Sequence, residues 1–188
     1  MNQAVDMRTI ARRARPAATR IESAVLAIVL LLMAESMLFA GLLTACALVR
    51  SRAVGLWPPI DLPRFPWPVT LATTFALLAT VPLVSFGRAY RRQPLLLAAT
   101  SLGGVFLAVH GLEWVRMLSR SSVAGSYGAI FYCLVGVHAL HVLGGLVALS
   151  WATCTMHHPN TAVRLKVCGM YWYFVVAVWP VIYAMVYH

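Results

Sequence analysis

Charge is what this sequence has least of. Of its 188 residues only 11% are charged, five are acidic, and a single one, Lys166, is lysine. Soluble domains carry about 25% charged residues, so a water-exposed globular enzyme does not fit. Catalytic signatures are missing too: there is no CxxC, no HExxH, no glycine-rich phosphate loop and no nucleophile–base arrangement. The four cysteines (Cys46, Cys133, Cys154, Cys168) fall in or beside apolar runs, which suits structural thiols sheltered by lipid better than a redox or metal motif. What the chain does have is apolar surface: 61% of residues are hydrophobic and the mean hydropathy is +0.80. Length and composition together describe one membrane domain.

The net charge of +10 comes almost entirely from arginine. The opening cluster Arg8, Arg12, Arg13 and Arg15 would suit nucleic acid, but no RNA- or DNA-binding motif accompanies it. The cations instead flank apolar runs, as membrane borders require, so no nucleic-acid partner is expected. Leu43-Thr44-Ala45-Cys46 has the form of a lipoprotein cleavage box. The apolar run into it starts near Ser23 and contains Glu35, whereas a signal h-region is only about 7–15 residues long. Cleavage is not expected there.

A helix needs about 20 apolar residues to cross the hydrocarbon core, and five segments qualify: about 22–49, 68–87, 94–115, 127–152 and 167–187. The reading is therefore an all-α, polytopic five-helix bundle over residues 22–188, preceded by a basic tail over 1–21. Pro68 and Pro94 suit first turns, and Pro82 and Pro180 lie inside helices and predict kinks. Residues 50–67 hold four prolines and two tryptophans, which predicts an extended loop along the interface. Ten cations fall on the side of the N-terminus and alternate loops, five on the other, so the N-terminus is expected in the cytoplasm and the C-terminus outside. Tyr171, Trp172 and Tyr173 are expected in one aromatic belt, and Trp57, Trp67 and Tyr187 in the other.

An ionisable side chain inside a span costs about 2.5–3.5 kcal/mol at its centre on insertion scales and so needs a partner or a function. Glu35 lies about 20 Å along its helix at 1.5 Å per residue, and His110 and His138 fall at a similar depth from the same side. Together they form either a hydrogen-bonded polar layer or, since opposed histidines ligate haem in membrane cytochromes, a free-standing b-type cytochrome site. His141 shares a face with His138, three residues on. Glu113 and Arg116 are one turn apart and suit an intrahelical ion pair. Gly136, Gly144, Gly145 and Ala148, with Gly104, Ala108 and Gly111 on the preceding helix, offer small-residue faces for close helix packing.

Several stretches carry a resemblance. Ala34-Glu35-Ser36-Met37-Leu38-Phe39-Ala40-Gly41-Leu42, the Trp57-Pro58-Pro59 loop and Gly111-Leu112-Glu113-Trp114 come first. Tyr127-Gly128 then leads into Gly136-Val137-His138-Ala139-Leu140-His141-Val142-Leu143-Gly144-Gly145, and Tyr171-Trp172-Tyr173-Phe174 opens the last segment. In this order, over about 22–187, they resemble the motifs of subunit III of haem–copper oxidases, the cytochrome c oxidase subunit III family, in its short five-helix bacterial form. Two positions depart from it: Tyr173 stands where the family usually has His, and Val176 where it has Asp, which implies the loss of polar contacts there.

The resemblance implies a non-catalytic subunit of a respiratory oxidase in a bacterial inner membrane. Such a chain binds no metal itself, the haem and copper lying in the partner, catalytic subunit I. It packs beside that subunit, holds phospholipid between its helices, and supports the oxidase's stability and proton uptake during aerobic electron transport. Glu35 would be the membrane-buried carboxylate, with His110 and His138 near the lipid or proton path. His141, Glu113 and Arg116 would belong to the structural polar signature. Accessory proteins of nitric oxide reductases are similar and form the alternative.

Overall fold

The computed structural model describes residues 7–53, 67–118 and 126–187, with side chains over 21–53, 68–116 and 128–186. Each apolar run is a helix: α1 (Met7–Ser51), α2 (Trp67–Ala89), α3 (Gln93–Leu118), α4 (Ser126–Cys154) and α5 (Thr161–Tyr187). All five contain stretches long and apolar enough to cross a membrane, and no strand occurs among the described residues. In lipid the backbone must satisfy its own hydrogen bonds, which helices do within one segment. Pro68 and Pro94 sit in first turns, and Pro82 and Pro180 lie inside α2 and α5. The prolines and tryptophan of the first long loop fall in 54–66, outside the described residues.

Two helices start earlier than their apolar runs. The membrane-competent part of α1 is Ile21–Ser51, yet the helix extends back to Met7, because alanine and arginine are good helix formers whatever solvent they face. The α5 helix begins at Thr161, whose hydroxyl lies 2.6 Å from the carbonyl of His158 and closes the preceding turn.

The helices follow one another as neighbours, α2 on α3, α3 on α4 and α4 on α5, and α5 also touches α1 and α2. The α1 helix rests on α4 and α5, with only Ile28, Phe39 and Cys46 of its described side chains buried. Leu26, Leu30, Met33, Met37 and Leu48 point outward. The core is built around the fully buried Trp172 and Trp179 of α5 with Phe106, Phe131 and Leu77. Trp172 is thus not part of an aromatic belt: its ring is enclosed between α2, α3 and α4. Trp57, Trp67 and Tyr187 have no described side chains.

Close packing falls on only part of the expected small-residue face. A Cβ on Gly145 would lie 2.8 Å from Cε3 of Trp172, and one on Gly103 would lie 2.8 Å from the far edge of the same ring. Gly144, in contrast, is exposed, and a Cβ there would meet only the Tyr171 hydroxyl at 3.7 Å. Gly136 makes ordinary contact with the Trp114 indole, and the carbonyl of Ala148 accepts from the Cys168 thiol at 3.5 Å. Cβ atoms on Gly41, Gly104 and Gly111 would meet nothing within 4 Å among the described residues.

Candidate functional site

Glu35 of α1 faces α4, and its Oε2 lies 2.7 Å from Nε2 of His141. The other ring nitrogen of His141, Nδ1, is 2.7 Å from the carbonyl of Val137, one turn back. A carbonyl only accepts, so Nδ1 carries a hydrogen and the imidazole is oriented by its own helix. One further proton then lies between Nε2 and Oε2. It belongs either to a neutral acid donating to imidazole or to an imidazolium donating to carboxylate, and the pair is electrically neutral in both forms. That neutrality is what lets a carboxyl group sit within a span, where an isolated charge is costly. Phe39, one turn from Glu35, packs edge-on against His141 with centroids 5.0 Å apart and shields one side of the pair. The side chains of His141 and Glu35 keep 13% and 21% exposure, so the pair is open on its outer side.

The other two histidines do not join this hydrogen bond. His138 is buried, with no hydrogen-bond partner for either ring nitrogen among the described residues, and stacks on Trp179 at 5.2 Å and 24°. His110 uses Nδ1 on the carbonyl of Phe106, stacks on the Phe106 ring at 4.2 Å, and meets Trp179 edge-on at 4.7 Å. The polar layer expected from Glu35, His110 and His138 is therefore divided. Glu35 pairs with His141, while His110 and His138 enclose an indole. That indole touches both imidazoles, leaving no slot for a porphyrin between them, so the geometry does not fit the b-type cytochrome reading. Among the described residues no three His, Cys, Asp or Glu side chains converge as metal ligands. Glu113 is fully buried in α3, and Arg116 is exposed near its end.

Two indole hydrogen bonds escaped the sequence reading. Trp172 Nε1–H donates to Thr80 Oγ1 at 2.8 Å, and Trp179 Nε1–H donates to Thr74 Oγ1 at 3.0 Å. Each threonine hydroxyl also reaches a carbonyl of its own helix, Leu77 at 2.6 Å and Thr70 at 2.8 Å. The threonines thus relay indole N–H groups of α5 to the backbone of α2. The available signal was the recurrence of threonine on one apolar helix, since buried hydroxyls and buried indoles each need a partner. Thr80→Val keeps the shape and removes the acceptor. It is expected to lower unfolding free energy by about 1 kcal/mol, near the upper part of the range for hydrogen bonds inside membranes. Detergent-resolved thermal unfolding reads this directly, and an unchanged midpoint would remove the relay from the account.

The last helix departs from the expected loss of polar contacts. The Tyr173 hydroxyl lies 2.8 Å from Ser85 Oγ and accepts from Arg88 Nη1 at 3.3 Å, while Val176 simply joins the core.

Comparison with known proteins agrees with this architecture. Residues 17–188 match the family model described as cytochrome c oxidase subunit III. The chain is 31% identical over 167 residues to the probable cytochrome c oxidase subunit 3 of Mycobacterium leprae, covering 83% of each chain. It is 31% identical over 169 residues to the protein of the same description in Nocardia farcinica, again over 83% of each. It is 29% identical over 172 residues to the cytochrome c oxidase subunit 3 of Synechocystis, covering 85% of this chain and 73% of that one. Nothing in these matches favours the nitric oxide reductase alternative. With its five membrane-competent helices and the ordered match along nearly its whole length, the chain belongs to the cytochrome c oxidase subunit III family and is a subunit III-type component of a haem–copper oxidase.

Proposed function

We propose that the chain is the non-catalytic member of its oxidase. It packs in a bacterial inner membrane against subunit I, which holds the haem and copper, with its N-terminus in the cytoplasm. Residues 1–21 form a basic cytoplasmic extension and 22–188 the membrane domain. Small positions that meet nothing among the described residues, Gly41 on α1 and Gly104 and Gly111 on α3, supply the surfaces on which a larger membrane subunit packs closely. The observation that carries the reading is the Glu35–His141 pair, a neutral proton-sharing unit open to the outer face of the bundle at 2.7 Å. It supports proton uptake by the neighbouring subunit, and phospholipid lies beside Glu35.

The test is Glu35→Gln in the assembled oxidase. The amide is nearly isosteric and still reaches His141, so the bundle is expected to fold and the enzyme to turn over at first. Without the exchangeable proton, activity or proton uptake should then decline sooner than in wild type during sustained turnover. Equal turnover and equal inactivation rates would deprive the pair of a functional role.

A further inference from the structure

Between α3 and α4, open sideways to the lipid, runs a groove of about 470 Å³. Its volume is within the range of about 300–1,000 Å³ typical of small-molecule sites. His110 and Trp114 of α3 with Tyr132 and Gly136 of α4 form one end, and the exposed Leu140 and Leu143 of α4 form the other. Among the described residues that line it, none is Lys, Arg, Asp or Glu.

Apolar surface facing lipid needs no ligand to explain it. The polar atoms behind this surface do. His110 is 4% exposed, and its Nδ1 carries the hydrogen that goes to the Phe106 carbonyl at 3.0 Å. In the neutral ring Nε2 is then a bare acceptor, and it has no hydrogen-bond partner among the described residues. One turn on, Trp114 Nε1–H is a donor in the same condition, and the Tyr132 hydroxyl, which both donates and accepts, is a third such group. The Trp114 and Tyr132 rings meet edge-on at 5.4 Å, and a Cβ on Gly136 would lie 3.5 Å from Trp114 Nε1. Bare backbone at Gly136 thus leaves room beside the indole N–H. Buried polar atoms are nearly always hydrogen-bonded, and hydrocarbon offers no bulk water to complete them.

The chemistry of what completes them is constrained. It arrives through lipid and meets no charged side chain, so its head is uncharged. It accepts from Trp114 and donates to His110, and aromatic edges with a bare backbone favour a flat ring. Trp114 stands two residues before the end of the α3 span and Tyr132 four after the start of the α4 span, about 3 and 6 Å along the axes. The head therefore lies inside the hydrocarbon border, and an apolar tail follows Leu140 and Leu143 toward the middle of the membrane. A charged phosphate at the border does not answer to this set. We propose that the groove binds a lipid-soluble hydroquinone, a ring hydroxyl donating to His110 Nε2 and its oxygens accepting from Trp114 Nε1–H and the Tyr132 hydroxyl.

The three atoms lie just beneath the groove surface. The half-buried rings of Trp114 and Tyr132 turn to present them, as side chains at binding surfaces commonly do. The oxidised quinone has only acceptors and leaves His110 Nε2 unpaired, so the groove prefers the reduced form. Cys133 lines the groove and is exposed, whereas Cys154 is exposed outside it. The chain thus carries its own reporter and its own control.

The full chain in detergent is titrated under argon with decylubiquinol, whose fully substituted ring cannot add a thiol. Alkylation of both cysteines by N-ethylmaleimide is followed by mass spectrometry. Quinol at about ten times its Kd should slow Cys133 about tenfold, in proportion to the free fraction, and leave Cys154 unchanged. Decylubiquinone should bind about tenfold more weakly, equivalent to about 1.4 kcal/mol. Tyr132→Phe should weaken quinol binding about fivefold, the worth of one hydrogen bond. His110→Phe, which keeps an aromatic ring against Phe106, should erase the preference for quinol over quinone. Gly136→Leu, filling the groove, should abolish protection, and Gly144→Leu, outside it, should not. Equal binding of quinol and quinone, equal protection by dodecylbenzene or phosphatidylcholine, or wild-type protection in both Y132F and G136L would overturn the proposal. So would a Cys133 that resists alkylation in quinone-free oxidase, because another subunit would then fill the groove.

Discussion

Trp179→Ala is expected to lower the unfolding free energy of the chain by about 3 kcal/mol. In water-soluble cores Trp→Ala costs about 3–5 kcal/mol, made up of a transfer part and a cavity part. Helices that separate in a membrane enter lipid rather than water, so the transfer part shrinks and lost packing dominates. At Trp179 that loss is large. The ring stacks on His138, meets Phe106 edge-on at 4.7 Å and His110 at the same distance, and holds the Thr74 hydroxyl. Removing it leaves two imidazoles facing a void, one of them with no hydrogen-bond partner among the described residues. Trp179→Phe should cost less, because the aromatic contacts survive and only the N–H bond to Thr74 is lost. Denaturation in graded detergent, followed by circular dichroism, separates the three proteins. Coincident curves for wild type and Trp179→Ala would show that the histidine–tryptophan stack does not hold α3, α4 and α5 together.

The parts of this architecture legible in the sequence are those that lipid dictates. Five runs of sufficient apolar length become five helices because no other described element could satisfy its backbone in hydrocarbon, and prolines fall where their missing N–H is harmless at Pro68 and Pro94. Glu35 was legible for the same reason: a carboxyl within a span demands a partner. Which partner it takes was not. Counting rise along each helix places Glu35, His110 and His138 at one depth, but depth says nothing about rotation. His138 and His141, three residues apart, share a face only broadly. The rotation of α4 turns His141 to α1 and His138 inward to Trp179. Rotation also separates Gly144 from Gly145, and a pattern of small residues cannot tell which of two adjacent glycines meets an aromatic ring. Trp172 shows the converse failure. Tryptophan near the end of a span suits a headgroup belt, but here Thr80 offers its N–H a partner inside the bundle, and two glycines make room for the ring.

Gly145→Leu and Gly144→Leu, neighbours in sequence, are expected to behave oppositely. At Gly145 even the first carbon of the new side chain would lie 2.8 Å from one atom of the Trp172 ring and 3.1 Å from the next. The ring cannot retreat: its far edge already lies 2.8 Å from where a Cβ on Gly103 would be, and its N–H is tied to Thr80. The leucine must therefore push α4 from α5 or break the indole hydrogen bond. Overpacking a fitted core costs typically about 1–3 kcal/mol, and with both exits closed the cost should reach the top of that range, about 3 kcal/mol. The chain should be lost from the purified oxidase while the oxidase's haem spectrum stays unchanged. At Gly144 the new side chain projects from an exposed position with only the Tyr171 hydroxyl nearby, so the isolated chain should keep wild-type stability. If Gly144→Leu nevertheless dissociates from the complex, another subunit or an ordered lipid covers that face of α4. If both variants unfold together in isolation, close approach at Trp172 is not what locks α4 to α5.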